Sequence, residues 1–114
     1  MTMEVLFVGV PVADLQAATP WYERLFGRPA DIVPNEHEIM WRVAGDGWLY
    51  VIEDPKRAGH AIVAVSVDDL DQFVAALADR GITAGPPESV GDAGRKAVTL
   101  DPEGNLIGWI EVAG

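Results

Sequence analysis

Apolar side chains recur at every second position from Leu6 to Val12, and again from Ala61 to Val67. That is the period of a strand with one buried face. Leu6, Val8, Val10 and Val12 form the greasier row of the first segment and are expected to pack under a helix. Val5, Phe7, Gly9 and Pro11 point the other way. In the second segment Ala61, Val63, Val65 and Val67 form the helix-facing row, with His60, Ile62, Ala64 and Ser66 opposite. After each segment the period lengthens to one that suits an amphipathic helix. The first helix begins at Asp14 and stops at Gly27. The second begins at Asp68 or Asp69 and stops at Arg80-Gly81. Both starts offer a short carboxylate as N-cap, and glycine suits both ends. Pro20 falls inside the first helical pattern and is expected to kink it or to place its regular part after Thr19. Laying Asp14-Leu15 over Asp69-Leu70 also lays Val10 over Val65 and Val12 over Val67. A strand-to-helix unit therefore occurs twice in the chain.

The remainder of each half reads as strands. In the first half they are a short one at residues 31–33, then 38–43 and 48–53, the last two joined by Ala44-Gly45-Asp46-Gly47. Pro34-Asn35 signals a turn, and residues 54–59 a linker. In the second half Gly85-Pro86-Pro87 is a loop. Residues 95–100 and 105–112 are strands around the tight turn Asp101-Pro102-Glu103-Gly104-Asn105. The expected fold class is α+β: two tandem βαβββ modules, about residues 3–54 and 60–113, within one domain spanning 1–114. Each module curls a mixed sheet into a cup with its helix on the outer face. A binding site belongs on the concave side.

Composition narrows the picture. The chain has 114 residues, a size typical of one domain. Its net charge of -10 repels nucleic acid and anionic lipid and would attract a cationic ligand. No apolar run approaches the ~20 residues of a membrane span. The first residues lack a basic stretch and run straight into a strand, so no signal peptide is expected. Cysteine is absent, which removes disulfides, thiolate metal sites and cysteine nucleophiles and suits a cytoplasmic protein.

V-x-V-x-D-L…W-Y-E-R-L-F-G in the first half, V-S-V-D-D-L-D-Q-F in the second and D-P-E-G-N-L-I near the end make the chain resemble the vicinal oxygen chelate superfamily. That group includes glyoxalase I, bleomycin-resistance proteins, extradiol dioxygenases and fosfomycin-resistance thiol transferases. The resemblance implies paired βαβββ modules forming a cupped sheet, and a homodimer. It also implies a divalent metal held by two histidines and a glutamate on the concave face. The first-strand ligand of the family lies seven residues before the Asp of D-L, which here is Phe7. The last-strand ligand lies seven residues after the Asp of D-P-x-G, which here is Gly108. The repeat places Ile62 at the middle position; the longer strand of fosfomycin-resistance enzymes would place His60 there. Phe7 and Gly108 cannot bind a metal, so neither a metal nor another cofactor is expected.

What remains is aromatic. Trp41, Trp48, Tyr50 and Phe7 are expected to line the cup, with Trp48 and Tyr50 on one face by alternation, and Gly9 and Gly108 leaving room. Trp21 and Trp109 are expected in the core. Aromatic rings stack on planar ligands and attract cations. His37, Glu53, Asp54 and Glu111 read as solvated charges, and Asp68, Asp69 and Asp71 as helix-start carboxylates. The expected function is non-catalytic binding of a small organic ligand, cationic or aromatic, as in sequestration of an antibiotic. The expected binding residues are Phe7, Gly9, Trp41, Trp48, Tyr50, His60, Ile62 and Gly108. The alternative is a lyase- or isomerase-type enzyme using His60 or Tyr50, or a metal site not recognised in the sequence.

Overall fold

The structure is a computed structural model that describes residues 1–113. The chain runs β1 (Leu6–Val12), α1 (Leu15–Phe26), β2 (Ile32–Asn35), β3 (Glu38–Ala44), β4 (Gly47–Glu53), β5 (Ile62–Ser66), α2 (Leu70–Asp79), β6 (Glu88–Ser89), β7 (Gly94–Leu100) and β8 (Leu106–Val112). Two mixed four-stranded sheets result, ordered β1-β4-β3-β2 and β5-β8-β7-β6. In each the first strand of the module lies parallel to the last, and the remaining pairs are antiparallel. The two βαβββ modules are thus built alike.

Local chemistry sets the element ends. Asp14 and Asp69 are the N-caps, accepting from the amides of Ala17 and Gln72. Gly27 and Gly81 take the positive φ that lets the chain leave each helix. The first helix runs unbroken through Pro20, and Thr19 Oγ1 donates to the Leu15 carbonyl one turn back. Pro34 and Asn35 belong to β2, and the turn lies after them, at Glu36-His37, where Asn35 accepts from the His37 amide. The second module also has a two-residue edge strand, β6, that alternation is too short to reveal.

The helix-facing rows follow the alternation except at the start of β1, where Leu6 is 67% exposed and Val8 half-buried. Val10, Val12, Leu49 and Val51 are buried in the first module; Val63, Ile107 and Trp109 are buried in the second. They join Leu15, Tyr22 and Leu25 of α1 and Leu70 and Leu77 of α2 in one hydrophobic cluster. Trp109 meets Phe73 of α2, and Trp21 packs edge-on against Tyr22 from a half-buried position.

Polar contacts join the modules through the turn at residues 101–105. Buried Asp101 accepts four hydrogen bonds, from the Tyr22 hydroxyl, the Asn105 side chain, and the Glu103 and Asn105 amides. Asn105, also buried, donates to the Pro11 carbonyl of β1 and accepts from the Ala61 amide ahead of β5. The Glu103 carboxylate accepts from the amides of Ala13 and Asp14 at the start of α1. Burial first, and then the Asp101 charge, push the Tyr22 phenol far above its ordinary range, so it stays a donor.

Tyr22→Phe should lower stability by about 1–2 kcal/mol, since it leaves a buried carboxylate one donor short. Asn105→Ala should cost about 2–4 kcal/mol, because several buried groups lose partners together. Urea denaturation with an unchanged m-value checks both. The Tyr22 proton is bound more tightly in the folded state. Its contribution is therefore complete below about pH 10, the ordinary phenol value, and declines as pH rises above it. Tyr22→Phe should remove that share of the alkaline decline.

Candidate functional site

Each sheet has one face packed under its helix and one face turned away. On the first sheet the outward face holds Phe7, Gly9 and Pro11 of β1 beside Trp48, Tyr50 and Ile52 of β4, since these residues are direct register partners. Phe7 and Trp48 stack with ring centroids 6.5 Å apart and 28° between planes. Phe7 is 54% exposed, far more than a core phenylalanine. Tyr50 lies across Gly9: a Cβ there would sit 2.6 Å from the Tyr50 hydroxyl oxygen, so glycine is what lets the ring lie flat. On the second sheet the outward face holds Ile62, Ala64 and Ser66 of β5 beside Leu106, Gly108 and Ile110 of β8. Ile62 is 80% exposed. Lys96 crosses Gly108, with its Cε 2.7 Å from where a Cβ would stand.

Two depressions adjoin these faces. An apolar groove of about 260 Å³ separates the first sheet from β5 and is lined by Leu6, Val8, Trp48, Val63 and Val65, among others. A second, of about 430 Å³, lies beside Gly9 and Pro11 and is bordered by Lys56, Arg57 and His60. His60 therefore sits by the outward face of β1.

Trp41 does not belong with this set, contrary to the sequence reading. It is fully buried on the helix side, packed with Tyr22 and Phe26, and its Nε1 donates to the Arg28 carbonyl. The hairpin register decides this. Arg42 pairs with Trp48 and Trp41 with Leu49, so the two tryptophans face opposite ways. Phe7, Gly9, Trp48 and Tyr50 come together on the first sheet, with His60 nearby. Ile62 and Gly108 lie on the second sheet, on strands whose register sets Ile62 opposite Leu106 and Gly108 opposite Ala64.

Two carboxylates at strand ends have structural work that the sequence reading missed. Glu53, the last residue of β4, accepts from the Leu15 amide at the start of α1 and also contacts His37 Nδ1 at 3.1 Å. Glu111 of β8 accepts from the Leu70 amide at the start of α2. Each places negative charge at the positive end of a helix, in equivalent positions of the two modules. Their partners lie far away in sequence, and only the repeat itself, a Glu late in the final strand of each half, could have signalled them.

A family model described as the Glyoxalase/Bleomycin resistance protein/Dioxygenase superfamily matches residues 5–108. The chain belongs to this superfamily. A glyoxalase/bleomycin resistance protein from Catenulispora acidiphila is 37% identical, with a TM-score of 0.88 over 96% of this chain and 99% of that one. TnmS3, an antibiotic binding protein from Streptomyces sp. CB03234, is 27% identical, with a TM-score of 0.79 over 96% and 95%. A bleomycin-binding protein solved in complex with bleomycin shares the fold at 23% identity, with a TM-score of 0.76 over 96% and 98%. No curated protein sequence matches the chain.

The metal chemistry of the superfamily does not fit these residues. Phe7, Ile62 and Gly108 offer no donor. Among the described residues, no three His, Asp or Glu side chains converge as a metal site would require.

The two tryptophans should separate cleanly on mutation. Trp41→Ala should destabilise the fold by about 3–5 kcal/mol, as for a large buried aromatic. Trp48→Ala, at a half-exposed site, should cost about 1 kcal/mol or less. Thermal unfolding followed by circular dichroism would compare them.

Proposed function

We propose that this protein binds a planar, aromatic small molecule on the outward sheet faces, in a cup completed by a second copy of the chain. The observation that carries this reading is the Phe7–Trp48 stack with Tyr50 lying flat over Gly9, a set of rings on the face turned away from the helix, Phe7 exposed and Trp48 and Tyr50 half-buried. Rings of this kind offer flat apolar area and favourable edge and face electrostatics to a flat ligand. The antibiotic-binding relative and the fold shared with the bleomycin-binding protein support sequestration of an antibiotic-like compound as the biological role.

A second copy is part of the proposal because the outward faces carry large exposed apolar residues, among them Phe7, Ile62, Leu100 and Val112. A patch of that kind is normally covered in a stable soluble protein. Gly9 also adjoins two titratable groups, His60 in the nearby depression and Tyr50 above it, which favours the alternative of acid–base catalysis on a similar ligand.

Sedimentation equilibrium should give a dimer at micromolar concentration. Tryptophan fluorescence of that dimer should change on titration with bleomycin-type antibiotics or other planar aromatics. Phe7→Ala with Trp48→Phe should weaken binding by about tenfold or more, as expected for loss of anchoring aromatics. A flat response across bleomycin-type compounds would remove the antibiotic version. Turnover of a bound ligand, abolished by His60→Ala or Tyr50→Phe, would replace binding with catalysis.

A further inference from the structure

The net charge of -10 invites the expectation of a cationic ligand, yet the outward faces have a different electrical character. Strands β1, β4, β5 and β8 present Phe7, Gly9, Pro11, Trp48, Tyr50 and Ile52 on the first sheet. On the second they present Ile62, Ala64, Ser66, Leu106, Gly108 and Ile110. None of these is charged. The acidic surplus is placed on helices, turns and strand ends, where much of it is already engaged. Asp31, Asp46, Asp54 and Asp71 pair with arginines, and Glu53, Glu103 and Glu111 accept from amides at helix starts.

Charge on the outward faces comes from the strands beside these: Glu38 and Arg42 on β3, Glu88 on β6 and Lys96 on β7. The register partner of Lys96 is Ile110, so it stands on the outward face of the second sheet, beside β8. Its chain crosses Gly108, and Nζ lies 3.4 Å from the position a Cβ would occupy there. Gly108 is buried beneath it, and Lys96 is itself half-buried. Among the described residues it forms no ion pair, although Glu88 is its cross-strand neighbour on β6. By contrast Arg42, the basic residue on the outward face of the first sheet, is tied to Asp46 and the Gly45 carbonyl.

On an open sheet such a lysine is solvated and needs no partner. Inside a cup closed by a second copy it loses water, and an unpaired ammonium there is costly unless an anion meets it. Resting on the proposed binding function, we infer that the ligand carries an acidic oxygen group, a carboxylate or phosphate, which Lys96 holds while its planar part lies against Phe7, Trp48 and Tyr50. Gly108 leaves room for the lysine to lie across the strand, and a side chain at that position would displace its flexible end. The ligand class is a planar aromatic acid, opposite in sign to the one suggested by total charge.

The test uses three probes of one shape: pyrene-1-carboxylate, pyrene-1-carboxamide and 1-pyrenemethylammonium, titrated against the dimer by fluorescence. The wild-type protein should favour the carboxylate over the ammonium by about tenfold or more, the scale of a charge-assisted contact. That preference should shrink with added salt. Lys96→Met should erase it while leaving the affinity for the amide within about twofold, and Lys96→Arg should preserve it. Unchanged melting temperatures would show that the variants are folded. Equal or better binding of the ammonium by wild type, or a carboxylate preference that survives in K96M, overturns the inference and leaves the binding function standing. A K96M variant with unchanged probe affinities but weakened dimerisation assigns Lys96 to a carboxylate of the second copy and also overturns it. Failure of all three probes to bind overturns the binding function itself.

Discussion

The carboxylate of Asp101 is the point on which both modules depend. A buried charge is tolerated only when its lone pairs are met, and here donors from α1, from the turn and from Asn105 meet both oxygens. Asn105 then passes the connection on, one side of its amide to the end of β1 and the other to the start of β5. The apolar cluster is continuous across the chain, but hydrophobic burial has no direction and would not fix how one sheet sits against the next. The directional bonds at this turn do so. They hold the ends of β1 and β5, and with them the outward faces those strands carry.

The fold was legible because its signals are repetitive. Two alternating segments, two Asp caps and two glycine stops placed both helices and the strand ahead of each, and the structure follows them closely. The error over Trp41 has one physical source. Alternation fixes which residues of a strand share a face, but the face itself depends on pairing, and a shift of one residue reverses it. The β3–β4 hairpin contains an irregularity between Arg42 and Ala44. That irregularity sets the register, and the sequence of the turn alone does not declare it. Trp48 and Tyr50, on one strand, could be placed together; Trp41, across the turn, could not be placed with them.

The acidic residues teach a related lesson. Counted along the chain, they suggest a surface attractive to cations. Located in space, many are engaged with arginines or with helix amides, and the outward faces of β1, β4, β5 and β8 carry none. Glu53 and Glu111 looked like solvated strand ends because the amides they serve lie a whole helix and several strands earlier. Net charge describes how a protein meets bulk solution, whereas the character of a concave face is set by a few side chains whose positions come only with the fold.

The reach of Glu103 and Asn105 back to Ala13, Asp14 and Pro11 also bears on the order in which the molecule can be completed. The first module is synthesised first, and it contains its own strands and helix. Even so, amides at the head of its helix and the Pro11 carbonyl of its first strand take their partners from a segment near the other end of the chain. On the ribosome those groups face water until the final hairpin emerges. Maturation of the amino-terminal half is thus timed by the carboxy-terminal one, and a chain cut short before that hairpin would leave an unfinished first half exposed to the quality-control machinery of the cell.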